Sequence, residues 1–151
     1  LLEDHPKLDY MIGPIGGGGL LAGTALSAFY FGTNCKTIGG EPYEVDDAYR
    51  SLQSGNIETN VTANTMADGL RTHLGDLNFP IIQQHVQAII RVDEQDILDA
   101  LTLIYQRLKI VVEPSSAVAL AAIFKDKTAF ENKQIGVILS GGNVDLKSLP
   151  F

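Results

Sequence analysis

The sequence predicts an α/β fold, a mostly parallel sheet in three layers with helices on both faces. Three observations predict it. Short apolar runs alternate along the chain with longer Ala- and Leu-rich or amphipathic segments. The apolar runs are nearly continuous, as in strands buried on both faces. Two of them end in glycine-rich turns, GPIGGGG at 13–19 and SGGN at 140–143. Open α/β sheets bind ligands at that place, beyond the carboxyl ends of the strands.

The elements follow in order. DYMIGPI at 9–15 reads as a buried strand, and LLAGTALSAFYF at 20–31 as a helix. KTIGG at 36–40 is a second strand. DDAYRSLQ at 46–53 is a helix whose acidic first turn suits the helix dipole and caps it through Asp46 and Asp47. Residues 55–75 are polar and glycine-bearing, hence mainly loop. FPIIQQHV at 79–86 is a helix with Pro80 near its start, and AIIRV at 88–92 a third strand. Asp93 is an N-cap. The helix after it carries Ile97, Leu101, Ile104, Tyr105 and Leu108 on one core-facing stripe. Pro114 takes the first helical position behind Glu113, leading into the Ala-rich helix at 117–124. QIGVIL at 134–139 is a last strand.

Composition narrows the functional classes. The 151 residues fit one domain, and 45% hydrophobic with 19% charged residues is ordinary for a globular chain. A net charge of −7 argues against nucleic acid, which needs Lys and Arg patches. The single Cys35 excludes an internal disulfide and a multi-Cys zinc site, and fits a reducing cytoplasm. No apolar run reaches the ~18 residues of a membrane span. The expected location is cytoplasmic, with neither membrane nor nucleic acid as partner. The chain opens LLEDHPKLDYMIG, without an initiator Met and without a signal peptide, so it is expected to be a piece of a longer protein.

Gly16, Gly17, Gly18 and Gly19 in a row are entropically expensive. Strand, glycine loop and helix together present backbone N–H groups and a positive helix end to an anion. The expectation is a phosphate cradle; the plainer alternative is a tight turn. Leu20 and Leu21 stand where a Walker loop needs Lys and Ser or Thr. Gly17, Gly19 and Ala22 fit G-x-G-x-x-A, with Glu41 placed to hold a ribose, so a Rossmann-type dinucleotide module competes. That reading gives the SGGN turn no role. Ser140 lies outside a G-x-S-x-G elbow, and His5, His73 and His85 lack metal spacing.

Five motifs then share one order: GPIGGGGLLAG at 13–23, EPYEVDDAYRS at 41–51, ADGLR at 67–71, VVEPSSAVALAA at 111–122 and VILSGGNVD at 137–145. Together they resemble the pyridoxal-phosphate serine/threonine dehydratases and serine racemases, of the tryptophan-synthase-β type (fold type II). The resemblance implies that Gly16, Gly17, Gly18 and Gly19, with Leu20, hold the cofactor phosphate. It implies that Ser140 bonds the pyridine nitrogen and that the loop with Asp68 and Gly69 passes near the cofactor. A hydroxyl is a weak partner for that nitrogen, which leaves the ring a mild electron sink suited to β-elimination. The resemblance also implies a Mg²⁺ or Ca²⁺ site at Glu41, Asp47 and the Val45 carbonyl; plain helix capping by Asp46 and Asp47 is the alternative. It places Glu113 and Asn143 near a nucleotide site in regulated members. A structural role is the expectation here, Glu113 capping its helix and Asn143 steadying the glycine turn.

The implied activity of the intact protein is an ammonia-lyase removing water from L-threonine, L-serine or a similar 3-hydroxy amino acid, with a serine or hydroxyaspartate racemase as the alternative. The implied assembly is a homodimer or homotetramer. The family's Schiff-base lysine has no counterpart among Lys7, Lys36, Lys109, Lys125, Lys127, Lys133 and Lys147. Residues 1–151 are therefore expected to be the C-terminal part of the large cofactor-binding domain. The lysine-bearing part and the small domain would lie outside them, no regulatory domain is expected, and the chain alone would be inactive.

Overall fold

A computed structural model describes residues 1–149. Four strands, β1 (Tyr10–Pro14), β2 (Lys36–Pro42), β3 (Val86–Val92) and β4 (Ile135–Val137), form one sheet in the order β3-β2-β1-β4. All three pairings are parallel, with Ile12 opposite Ile38 and Val137. Five helices connect or cover them: α1 (Gly19–Phe31), α2 (Asp47–Ser54), α3 (Phe79–His85), α4 (Glu94–Leu103) and α5 (Pro114–Lys125). No helix among the described residues is long and apolar enough to cross a membrane.

The sheet is covered on both faces, as its apolar runs require. On one side Ile89 of β3 packs with Leu21, Ala22 and Ala25 of α1, Ala48 of α2 and Ile82 of α3. On the other, Ile12 and Ile38 pack with Ala119 of α5 and Phe130. Behind α5, Ile97, Leu101 and Ile104 meet Val118 and Ala122. Burying such side chains contributes roughly 1.5–3 kcal/mol each.

Three local expectations change. The predicted stripe on α4 fails at its end: Ile97, Leu101 and Ile104 are buried, but Leu108 is 57% exposed. The chain switches to a π-turn over Ile104–Leu108, which closes in left-handed Lys109 at φ 58°. A wider turn shifts the angular position of every residue after it, so the 3.6-residue spacing no longer keeps Leu108 inward. Asp46 makes no side-chain cap bond to α2; its carboxylate pairs with Arg50 at 2.7 Å and Arg91 at 2.8 Å. Glu113 likewise makes no cap bond to α5. The Asp93 cap does form, as a reciprocal box with Asp96.

Candidate functional site

β1 ends at Pro14 and the chain turns through Gly16–Gly18 into α1. Gly18 sits at φ 87°, and a Cβ there would lie 2.7 Å from Leu74 Cδ1, so this position requires glycine on both counts. Gly17 and Gly19 differ. A Cβ on them would meet nothing nearer than 3.7 Å and 3.9 Å. Packing leaves room for side chains there that the sequence does not use.

The backbone explains the choice. The N–H groups of residues 16–21 donate to no other described group, and the first engaged one is Ala22 N–H to the Gly18 carbonyl at 2.8 Å. The Gly17 carbonyl is held by Gly75 N–H at 3.1 Å and by the Asn78 amide at 2.7 Å. In a trans peptide this directs the Gly18 N–H the opposite way. An unsatisfied array of donors at a helix N-terminus suits an anion.

These groups border a cavity of about 210 Å³ lined by Pro14, residues 16–21, Gly69, Leu70, Glu113, Ser115 and Ser140. The fold thus brings Gly16, Gly17, Gly18, Gly19, Leu20, Gly69 and Ser140 to one place, from three separated motifs. Among the described residues, no lysine lines it. The free N–H groups fit a phosphate, and a hydroxyl bordering the same cavity fits a ring nitrogen.

Three residues that sequence reasoning did not assign hold this site together. Ser115 Oγ accepts the Gly69 N–H at 3.0 Å, tying the 68–70 turn to α5. Ser116 Oγ accepts the Gly141 N–H at 2.8 Å and lies 2.7 Å from the Gly141 carbonyl. Asn78 steadies the glycine loop. Two serines inside an Ala-rich helix were the available signal for the first two. Glu113 does not cap α5 but accepts the Asn143 N–H at 3.0 Å, so it braces the SGGN turn.

Glu41 and Asp47 lie elsewhere, both fully buried. Glu41 accepts the N–H groups of Ala48 at 3.0 Å and Tyr49 at 2.8 Å, so it closes the N-terminus of α2 that Asp46 leaves open. Burial pushes its carboxyl up to about 8, against the pull of those two N–H groups. Asp47 accepts from Asn60 Nδ2 and from Leu74 N–H, each at 2.7 Å. Among the described residues, no group of three or more His, Cys, Asp or Glu is arranged to hold a metal. Burial also removes Glu41 from any ribose, which ends the dinucleotide reading.

Comparison with known proteins agrees with this geometry. The chain is 48% identical over 155 residues to the serine racemase of Dictyostelium discoideum, covering 99% of this chain and 47% of that protein. It is 44% identical over 151 residues to the beta-hydroxyaspartate dehydratase of Paracoccus denitrificans, covering 100% of this chain and 48% of that protein. It superposes on the structure of maize serine racemase with a TM-score of 0.92 at 43% identity, covering 98% of this chain and 47% of that one. The chain spans about half the length of the curated relatives it matches. Residues 1–141 match the family model described as pyridoxal-phosphate dependent enzyme, and the chain belongs to that family.

Proposed function

We propose that this chain is the cofactor-holding half of an ammonia-lyase that removes water from a 3-hydroxy amino acid such as L-serine, L-threonine or 3-hydroxyaspartate, giving a 2-oxo acid and ammonia. The observation that carries this is the cavity flanked by the free N–H groups of residues 16–21 and the Ser140 hydroxyl. Pyridoxal phosphate, when bound, supplies the electron sink for bonds broken at the amino acid's α-carbon. In this reading the backbone from Gly16 to Leu20 binds the phosphate, and the start of α1 adds its dipole. Ser140 offers the ring nitrogen a neutral hydrogen bond, and Ser115 keeps Gly69 at the cavity wall. The relatives' names support both a dehydratase and a racemase.

The test is an assay of the intact protein on these three substrates, following 2-oxo acid, ammonia and the D-enantiomer. Release of 2-oxo acid, abolished by Gly17→Asp, supports the lyase. Formation of D-amino acid without 2-oxo acid would replace it by the racemase. The isolated chain, without a lysine at its cavity, should release no 2-oxobutanoate from L-threonine. We place the intact protein in the cytoplasm as a homodimer or homotetramer. An apolar groove of about 800 Å³ along α1, lined by Leu1, Leu20, Gly23 and Phe31, supports burial of this face against the rest of that protein.

Glu41, Val45 and Asp47 as a Mg²⁺ or Ca²⁺ site is a second reading. The crowding of Glu41 with Asp46 and Asp47 supports it; the engagement of both carboxylates by N–H donors opposes it. A rise of several degrees in Tm on adding either cation to the intact protein supports the site. An unchanged Tm leaves the carboxylates as structural acceptors.

A further inference from the structure

We propose that Ser116 is a positioning residue that sets the donor role of Ser140 at the cofactor ring. The inference rests on the cofactor reading above and assigns a function to a residue inside α5.

Ser116 is fully buried. A serine hydroxyl has one proton to give and two lone pairs to receive with. The Gly141 carbonyl lies 2.7 Å from Ser116 Oγ, the best acceptor within reach, and takes the proton. The Gly141 N–H fills one lone pair at 2.8 Å. Ser116 thus grips both peptide groups flanking Gly141, the residue next to Ser140. Its one remaining capacity is an acceptor position, and Ser140 Oγ lies 3.3 Å from it.

Two consequences follow. Between the two hydroxyls only Ser140 can be the donor, because Ser116 has no proton left. At 3.3 Å that bond is long for O–H···O, whose usual range is roughly 2.5–3.0 Å. Ser116 therefore holds the Ser140 proton weakly and yields it to a better acceptor. An unprotonated pyridine nitrogen is such an acceptor. Ser116 places Ser140 by gripping Gly141, and it gives the Ser140 proton a resting position when no ring is present.

The test is a double-mutant cycle on the intact protein, with Ser116→Ala, Ser140→Ala and the pair, reading two quantities. One is pyridoxal-phosphate affinity. The other is the ¹⁵N chemical shift of cofactor labelled at the ring nitrogen, which a purely structural role would not move. Ser116→Ala should weaken affinity about tenfold, the size of one hydrogen bond's loss. It should also displace the ring-nitrogen signal in the same direction as Ser140→Ala. In the Ser140→Ala background its effect should shrink below about twofold, because residues acting through one another are non-additive. Should Ser116→Ala fail to fold, Ser116→Cys keeps the volume with a weaker donor and runs the same cycle. Equal Ser116→Ala effects in both backgrounds overturn the proposal and leave the cofactor reading standing. An affinity and ring signal untouched by Ser140→Ala overturn both.

Discussion

The N-termini of α1 and α2 are alike in kind and opposite in treatment. Both begin within a few residues of a strand end on the same sheet. At α2 the first-turn N–H groups are received by Glu41, a carboxyl from the preceding strand, and the place is sealed. At α1 no side chain caps the helix, and residues 16–21 leave their N–H groups without acceptors. The other two long helices divide the same way. α4 is closed by its Asp93–Asp96 box, whereas α5 has no side-chain cap and puts Ser115 at the cavity wall. Among the four helices of eight residues or more, the two without a side-chain cap both border the cavity. The seven-residue α3 also lacks such a cap and lies away from it.

The contrast can be broken from either side. The largest effect is expected at the sealed end. Glu41→Ala strands two buried N–H groups and should cost about 3 kcal/mol in urea denaturation. Gly17→Asp should do the reverse. It has room to fit, so stability should change by less than about 1 kcal/mol. A negative charge beside the cradle should weaken cofactor affinity about 100-fold, or ~2.7 kcal/mol, in a fluorescence titration.

Next comes pH. The Glu41 carboxyl is raised to about 8 from the usual 4.5, first by burial and then by Asp47 and Asp46. Between those values the folded chain keeps a proton that the unfolded chain has lost. Stability therefore falls as pH rises through that window, and Glu41→Gln should flatten the slope. Smallest is the closed end of α4, where Asp93→Ala should cost about 1 kcal/mol with cofactor affinity unchanged.

What the sequence showed and hid follows the same division. The open site was legible because its parts are contiguous motifs: four glycines after one strand, SGGN after another. The strand, glycine loop and helix pattern pointed to Gly16–Gly19, the family resemblance pointed to Leu20 and Ser140, and the fold brings them together. The sealed site was misread in part. The acidic residues at 46–47 suggested local caps, but Asp46 turns to Arg91, whose guanidinium also stacks on Tyr43 and Tyr49 at 4.6 Å and 4.0 Å. The acceptor for α2 instead comes from the preceding strand. Ser116 escaped notice because its partner is 25 residues away, across the sheet's end. Leu108 was misplaced because no periodicity announces a π-turn.

The central claim is that the backbone of the glycine loop receives the cofactor phosphate. Glycine-selective ¹⁵N labelling of the intact protein, with amide spectra recorded before and after adding pyridoxal phosphate, tests it most directly. The largest displacements should fall on Gly16, Gly17, Gly18 and Gly19, with Gly32 and Gly55 unmoved. A bound cofactor that leaves the four loop amides in place would contradict the account.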